Sequence, residues 1–355
     1  MTGAPPKVTI GLDVDDRFTT MCVLDAEGEV MERGRLSTRA HAFQQRFTGV
    51  ERARVVLEVG KHSPWISRLL EQLGHEVIVA NARRVNLIWA ADHKSDPVDA
   101  ESLARLGRLD PKLLAPLRHR SEATQHHLAL LRARLMLVRA RTDLINHVRG
   151  AVQSLGERLP RCSAEAFASK ALPHIPEALR PALLPLTEAV AELTGRIRGY
   201  DRQVEQVAAA TYPATARLRQ VAGVGPLTSL GFVLTLEQPT HFRNGRAVGA
   251  YLGLCPRRRQ SAQSDPPLRI TKAGDALLRQ LLVGSAHYIL GPFGPDSDLR
   301  RYGLRICARG GSPAKKRAVV AVARKLAALL YALWRTGAVY QPLHQSERTS
   351  EVATA

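Results

Sequence analysis

The sequence predicts an α/β layer domain that is followed by two mainly helical regions. Strand-like and helix-like segments alternate up to about residue 81, and long stretches of helical spacing begin near Ser121. A third region opens with a glycine-containing turn at residues 223–225. Strands that alternate with helices after an initial run of strands are typical of an α/β layer. We therefore expect domains at residues 1–115, 116–212 and 213–342, with a disordered tail at 343–355.

The first domain begins with three short strands in residues 7–36. In VTIGLDV, apolar residues alternate with Thr9, Gly11 and Asp13, and a period of two predicts a strand with one buried face. FTTMCVLD and EVMERGRLS predict the second and third strands, separated by a turn at AEG. Two further strands and a helix that ends near a glycine are predicted at residues 53–60, 75–81 and 63–74.

Two long helices are predicted from about Ser121 to Glu157 and from about Pro181 to Tyr212. Leucine, isoleucine and valine recur along the first of them, and both carry arginine on their outer faces. This pattern predicts an antiparallel helical coiled-coil hairpin with a helical turn region between its arms. The tail after Pro342 has the composition of a disordered segment.

The C-terminal region contains the turn Gly223-Val224-Gly225 between two helix-like stretches, which is the form of a helix-hairpin-helix element. Such a turn directs backbone N–H groups of a helix N-terminus at a phosphate, so Gly223 and Gly225 are candidate nucleic-acid-binding residues. A plain tight helical turn explains the triplet equally well. A strand-like LRI and two helices are predicted after it, at residues 268–270, 273–287 and 313–334.

Charge gives the first indication of function. The net charge is +19, and residues 241–345 contain 18 lysine and arginine residues against four acids. A localised excess of this kind favours a nucleic-acid partner over a merely solvated arginine-rich surface. An anionic membrane fits less well, because the basic residues do not lie on one long amphipathic helix.

The remaining composition favours a cytoplasmic protein. The chain has no run of about 18 uncharged apolar residues, which excludes an ordinary membrane-spanning helix. MTGAPPKVTI lacks the pattern of a signal peptide. The four cysteines form neither a CxxC pair nor a zinc-binding spacing, so we expect free thiols in a reducing compartment.

Two carboxylates lie within predicted strands. Asp13 is on the strand face opposite Ile10 and Leu12, and Glu58 interrupts the apolar run of ARVVLEVG. A charge inside a buried strand is costly unless it is paired or bound to a metal, although an edge-strand glutamate that faces solvent is an alternative. Asp15 shares the parity of Asp13 where the strand ends, whereas Asp16 and Asp25 are typical of turns.

A second pair of carboxylates lies in HKSDPVDAESLARL. Asp96 and Asp99 are three residues apart, so both project from one side of the start of a helix. Helix capping is the alternative, because an aspartate before Pro97 is a favourable N-cap and Asp99 suits the helix dipole. Together with Asp13 and Glu58, these residues give four carboxylates in ribonuclease-H order. Metal-assisted phosphoryl transfer requires such a set of carboxylates.

These motifs resemble those of the DEDD-type insertion-sequence transposases related to the Piv DNA invertases, a group that includes bridge-RNA-guided recombinases. The resemblance covers residues 8–340 and rests on IGLDV, VVLEVG, KSDPVDAESLARL and GVGPLTS…RAVGAYLGLCPRRRQS…ITKAGDALLRQLL. It implies a RuvC-like (ribonuclease H-like) N-terminal domain, a mainly α C-terminal transposase domain, DNA as substrate, a structured guide RNA, and dimers or tetramers. It also implies Mg²⁺ ligands at Asp13, Glu58, Asp96 and Asp99.

The resemblance further implies a serine nucleophile that forms a covalent phosphoserine intermediate. The matching position is Ser261, which is followed by Ala262 where the family usually has glycine, and Ser264 is a nearby rival. A serine attacks a phosphodiester only when charge is neutralised around it. Six cations near it in sequence are candidates for that role and for nucleic-acid binding: Arg257, Arg258, Arg259, Arg269, Lys272 and Arg279.

Three other functions compete with a recombinase. A metal-dependent junction nuclease would use the four acids and water, without serine chemistry. An actin-like sugar kinase would share the GLD strand, but it would need a DxGxT-type phosphate loop that this sequence lacks. A non-catalytic nucleic-acid-binding relative is compatible with the altered Ser-Ala pair.

Overall fold

The computed structural model describes residues 6–82, 95–259 and 268–344 of the chain. The chain divides into two compact units, Met1–Arg120 and Ser121–Ala355. The first contains a five-stranded sheet with helices, and the second is almost entirely helical. The predicted change from α/β to helical structure is therefore confirmed. The finer boundary at residue 212 stays a prediction, and most of the predicted tail lies outside the described residues.

A mixed five-stranded sheet forms the centre of the N-terminal unit. Its strands are β1 (Thr9–Val14), β2 (Phe18–Leu24), β3 (Val30–Ser37), β4 (Arg54–Glu58) and β5 (Glu76–Ala80). Their order in the sheet is β3-β2-β1-β4-β5. β2 pairs with β1 and β3 in antiparallel fashion, whereas β4 pairs in parallel with β1 and β5. β4 is thus an interior strand, and the carboxyl ends of β1, β4 and β5 lie at one edge, the carboxyl edge.

Helices cover both faces of this sheet. They are α1 (Ala40–Phe47), α2 (Ser63–Gln72) and α3 (Asp96–Leu109). Ile10 and Leu12 of β1 are buried in one cluster with Phe43 of α1 and Ile66 of α2. Since side chains alternate along a strand, the other residues of β1 face α3 on the opposite side.

α3 lies directly against the backbone of β1. A Cβ atom at Gly11 would collide with the carbonyl oxygen of Ala100, and it would lie 2.7 Å from the backbone nitrogen of Ala104. At the other end of α3, Arg54 Nη1 donates to the carbonyl oxygen of Gly107 at 3.1 Å. Arg54 pairs with Thr9 at the start of β1. α3 therefore runs antiparallel to β1, and its N-terminus lies at the carboxyl edge.

Two long helices, α4 (Glu122–Ser154) and α6 (Arg180–Thr211), pack against each other in the C-terminal unit. Arg134 of α4 pairs with Asp201, and Arg141 contacts Thr194. Because the numbers rise in one helix as they fall in the other, the pair is antiparallel. Steps of three, four or seven residues separate the buried positions of α6, as in the heptad pattern of a coiled coil: Leu183, Thr187, Val190, Thr194, Ile197, Val204 and Ala208.

Shorter helices complete the C-terminal unit: α5 (Phe167–Ala171), α7 (Ala214–Leu218), α8 (Pro226–Leu236), α9 (Gly245–Tyr251), α10 (Ala276–Leu290), α11 (Asp298–Cys307) and α12 (Gly311–Thr336). α8, α10 and α12 share a core that includes Phe232, Leu282 and Leu326. α10 begins later than predicted, because Asp275 caps it and accepts from the backbone nitrogen of Leu278 at 2.9 Å. The predicted strand LRI is wrong, since only Ile270 of this segment pairs, in an isolated bridge with Pro256.

The four cysteines, Cys22, Cys162, Cys255 and Cys307, are all free thiols, as predicted. Burial raises the pKa of the Cys22 thiol, and the nearby Glu101 carboxylate adds to that effect. Across the described ranges, no helix has both the length and the apolar character to cross a membrane.

Candidate active site

Asp13 and Glu58 lie side by side at the carboxyl edge. β1 and β4 pair in parallel with Leu12 opposite Leu57, so the next residue of each strand is one of the two acids. Both acids have the parity of the residues that face α3, and both are half-buried. Because β4 is interior to the sheet, the alternative of an edge-strand glutamate is wrong for Glu58.

Asp96 and Asp99 lie in the first turn of α3. The N-cap of this helix is Ser95, whose extended backbone has φ −149° and ψ 147°, and Asp96 is already the first helical residue. Capping by Asp96 is therefore wrong, because the helix begins one residue earlier than that alternative requires. Acids in the first turn are stabilised by the helix dipole. Asp99 is half-buried, whereas Asp96 is exposed.

The four acids thus share one face of the sheet and its carboxyl edge. All are carboxylates, the hard oxygen donors that Mg²⁺ prefers. In their chemistry, and in lying at one edge of the sheet, they fit the ligand set of a divalent metal. In the positions that the side chains take here, no three His, Cys, Asp or Glu residues of the described ranges are close enough to hold an ion. Asp13, Glu58 and Asp99 each have other polar interactions.

An ion pair ties α3 to the sheet beside this site. Arg33 of β3 donates to Glu101 at 2.6 Å, and Arg105 pairs with the same carboxylate at 2.8 Å. The Arg33 guanidinium, followed by Arg105, holds the pKa of the Glu101 carboxyl below its usual range. Two arginines therefore keep this acid ionised and attached to the strand.

Sequence reasoning missed a histidine at the same edge. Trp65 Nε1 donates to His62 Nδ1 at 3.1 Å, and His62 Nε2 lies 3.3 Å from an Asp16 carboxylate oxygen. Because Nδ1 accepts, the proton of the neutral ring is on Nε2, which donates to Asp16. Asp16 lies in the predicted turn, yet it also orients a ring four residues after Glu58. The position of His62 only four residues after the strand-end acid Glu58 was the sequence feature that could have predicted it.

The other aspartates of the first hairpin differ from Asp13. Asp25 Oδ1 accepts from the backbone nitrogens of Gly28 at 2.7 Å and Glu29 at 2.8 Å, which confirms its predicted turn role. Gly28 has φ +93°, a left-handed conformation that the turn requires. Asp15 lies beyond the end of β1 and is exposed.

The Gly223–Gly225 turn lies between α7 and α8, beside an open hollow of 660 Å³. Gly223 has φ +86°, and a Cβ atom there would lie 2.9 Å from the ring of Tyr288. Gly225 is the N-cap of α8, with Pro226 at the first helical position. Nucleic-acid binding by the two glycines stays a prediction.

The predicted nucleophile Ser261, its rival Ser264, and Ala262 lie outside the described residues. The flanking segments are held together, because the Arg257 nitrogen donates to the Arg269 oxygen at 2.9 Å. Arg257, Arg258, Arg259, Arg269 and Lys272 are exposed. Arg279 differs from these five, since its Nη1 donates to the carbonyl oxygens of Leu252 at 2.9 Å and Ala273 at 2.8 Å. It therefore braces the loop before α10.

Comparison with known proteins agrees with this architecture. A family model of IS110-type DEDD transposases matches residues 10–156, and the model described as "Transposase IS116/IS110/IS902 family" matches residues 215–298. The Coxiella burnetii "Transposase for insertion sequence element IS1111A" is 27% identical, over 91% of this chain and 88% of that protein. The Pseudomonas aeruginosa "Probable family 20 transposase" is 29% identical, over 94% of this chain and 98% of that protein.

An acid set on the edge of a mixed sheet, followed by a basic helical unit, defines a DNA-processing enzyme here, because both parts match transposase models. The two matched segments together span well over half of the chain. The chain belongs to the IS110/IS116 family of DEDD transposases. DNA is therefore its substrate, and domains of the DEDD type generally use a divalent metal.

Proposed function

We propose that this transposase cuts DNA at the carboxyl edge of its N-terminal sheet, with Asp13, Glu58, Asp96 and Asp99 as the Mg²⁺ ligands. The observation that carries the proposal is that two adjacent strand ends and the start of α3 bring four carboxylates to one face. Bound Mg²⁺ would stabilise charge on the attacked phosphate and activate a nucleophile.

Other parts of the chain stabilise and position these acids. The N-terminus of α3 carries the positive end of the helix dipole, which offsets repulsion among the acids. Close packing of α3 on Gly11 holds Asp96 and Asp99 at the edge, because the helix backbone has no room to shift toward the strand. Rigid elements of this kind hold a site to the small tolerances that catalysis needs.

The test is cleavage of DNA that carries the ends of the element. Asp13→Asn should lower the rate by at least about 100-fold, the usual loss when one electrostatic contributor is removed from an active site. Asp25→Asn is the matched control in the same hairpin, because its carboxylate holds a turn. The proposal fails if both variants cut at the wild-type rate, or if they lose activity equally.

The finer hypothesis is that Ser261 acts as a covalent nucleophile and that the strands are rejoined from the phosphoserine link. What supports it is the set of cations at the two ends of that segment: Arg257 and Arg269 are joined by a backbone hydrogen bond, and Lys272 follows three residues after Arg269. Cations at both ends of a segment would neutralise a phosphodiester near it. A metal-dependent nuclease that uses water is the simpler alternative, and the acid set alone supports it.

Trapping a protein–DNA adduct that resists denaturation separates the two mechanisms. Serine chemistry predicts an adduct that Ser261→Ala abolishes and Ser264→Ala retains. A nuclease forms no adduct with either variant or with the wild-type protein. An adduct that is lost only in Ser264→Ala would move the nucleophile to that residue.

By the same resemblance, we propose a structured guide RNA and a homodimer or homotetramer as partners. The excess of cations in residues 241–345 supports a second polyanion. RNA that copurifies with the protein, and that is removed by ribonuclease with loss of site-specific cutting, would support the guide. Light scattering of the purified protein gives the oligomeric state, and a monomer that remains fully active would refute the assembly.

A further inference from the structure

A groove of 880 Å³ in the C-terminal unit lies between α12 and two short segments, residues 254–256 and 268–272. We call it the α12 groove. Its apolar lining, which we call the floor, consists of Leu254, Pro256, Leu268, Ile270, Pro313, Val320 and Ala321. Its cationic lining, which we call the rim, consists of Arg269, Lys272, Lys316, Arg317 and Arg324. Leu268 is 37% exposed, so part of the floor is open to solvent.

The charge of the α12 groove is of one sign. α12 contains no aspartate or glutamate in its whole length, and neither does the chain between residues 299 and 345. Among the residues that the structure describes, none of the five rim cations is paired with a carboxylate. Elsewhere in the same unit most cations of the long helices do have acidic partners, as Arg196 has Glu192 at 2.6 Å. Unneutralised cations around one groove attract a polyanion.

Lys272 has a backbone conformation that points to function. Its φ is +55°, in the left-handed region that a residue with a side chain seldom adopts. The conformation is held because the Lys272 nitrogen donates to the Gly253 oxygen at 3.1 Å, and because Gly253 and Gly274 flank it with positive φ. Strain of this kind persists where the surroundings impose it, and it is concentrated at functional sites. Here it fixes a lysine on the rim.

We propose that the α12 groove binds a short stretch of one DNA strand, with phosphates on the cationic rim and sugar and base faces on the apolar floor. The proposal rests on the proposed function for the identity of the nucleic acid, since the chain belongs to a transposase family. It adds Lys316, Arg317 and Arg324 of α12 to the DNA-binding residues.

The shape and floor of the α12 groove favour a single strand over a duplex. Its volume is that of a pocket for a drug-sized molecule, which a few nucleotides of one strand can enter and a double helix cannot. In a duplex the base faces are stacked inside, so an apolar floor would have no partner. A single strand exposes those faces to the protein.

The test is the salt dependence of oligonucleotide binding by the full chain. Each phosphate contact with a single strand contributes about 0.7 to the slope of log K against log salt concentration. Lys316→Gln/Arg317→Gln should therefore lower the slope for an oligo-dT probe by about 1.4. Lys315→Gln/Lys325→Gln is the matched control: it removes two charges from the same helix, and neither residue lines the groove. Its slope should stay that of the wild type.

Each result has a defined meaning. Equal slopes for the groove variant and the control would overturn the proposal. The proposal would also fail if the groove variant lost affinity only for a DNA duplex. If the wild-type protein bound oligo-rU more tightly than oligo-dT, and the groove variant showed the same loss of slope with oligo-rU, the groove would be assigned to RNA. In a further outcome, the groove variant binds oligo-dT like the wild type while DNA cleavage still depends on Asp13. That result would refute DNA binding by the α12 groove and leave the proposed active site intact.

Discussion

The acidic edge of the N-terminal unit and the cationic groove of the C-terminal unit, both proposed to bind DNA, are built from different kinds of structural element. The acids come from two strand ends and the first turn of a helix, elements that fix each residue closely. The rim cations instead are long side chains on a helix and an irregular segment. Positioning a reacting atom demands rigid elements, whereas contact with a phosphate backbone tolerates flexible side chains.

This difference predicts that cleavage and binding are separable. Asp99→Asn should lower the cleavage rate by more than about 100-fold. Its affinity for DNA should be unchanged or slightly higher, because a negative charge is removed. Lys316→Gln/Arg317→Gln should weaken DNA binding, but its cleavage rate at saturating DNA should stay close to that of the wild type. Single-turnover rates and equilibrium titrations on both variants check this, and a parallel loss of both quantities in each variant would contradict it.

A glycine-to-alanine substitution should change the free energy of unfolding in opposite directions in the two units. Gly11→Ala should lower the free energy of unfolding by about 1–3 kcal/mol, because the new Cβ atom meets the backbone of α3. Gly195→Ala should raise it by about 0.5–1 kcal/mol, since that exposed position in α6 has no atom within 4 Å of the added carbon. Denaturant unfolding measures both changes. A neutral Gly11→Ala would show that α3 does not lie as closely on β1 as the structure has it.

The helical hairpin contains a buried arginine that should be dispensable. Arg141 is 8% exposed, its Nη1 contacts Thr194 at 3.2 Å, and its buried Nε has no hydrogen-bond partner within the described residues. Replacing a buried charge by an apolar side chain of similar size is often neutral or stabilising. Arg141→Met should therefore keep or raise stability, whereas Thr194→Val should cost about 1–3 kcal/mol by leaving the guanidinium unpaired. Thermal unfolding of both variants distinguishes the two effects, and the reverse order would refute this account.

The smallest expected effect is a pH dependence in the N-terminal unit. Burial, followed by the charges of Arg68 and Arg120, lowers the pKa of His119 below the usual histidine value. The stability that this neutral ring contributes is present above the unfolded pKa of about 6.5 and is lost as the pH falls toward the folded value. His119→Phe should flatten that decline in denaturant titrations between about pH 7 and 5. An unchanged slope would exclude His119 as its source.

Local sequence pattern was sufficient for much of the fold. The alternation around Asp13 predicted β1 and its two faces, and the helical spacing of residues 121–157 predicted α4. Both succeed because the buried side of each element repeats with the period of that element. The close packing of a second element at Gly11 could also have been predicted, since a lone glycine inside a strand often marks a close approach of another backbone.

Features that depend on distant partners were not predictable from the sequence. The exclusion of an edge position for Glu58 required the strand order, which no local pattern contains. The His62–Asp16 contact joins residues that follow two different strands. The α12 groove was missed because its rim residues, such as Lys272 and Lys316, are far apart in sequence and no periodicity relates them.

Metal binding tests the central claim most directly, because it asks whether the acid set holds an ion without requiring DNA, RNA or strand exchange. Isothermal calorimetry with Mg²⁺ should show binding to the wild-type protein and to Asp25→Asn. Binding should be lost or strongly weakened in Asp13→Asn and in Glu58→Gln. Equal Mg²⁺ affinity in all four proteins would contradict an active site at the carboxyl edge of the sheet.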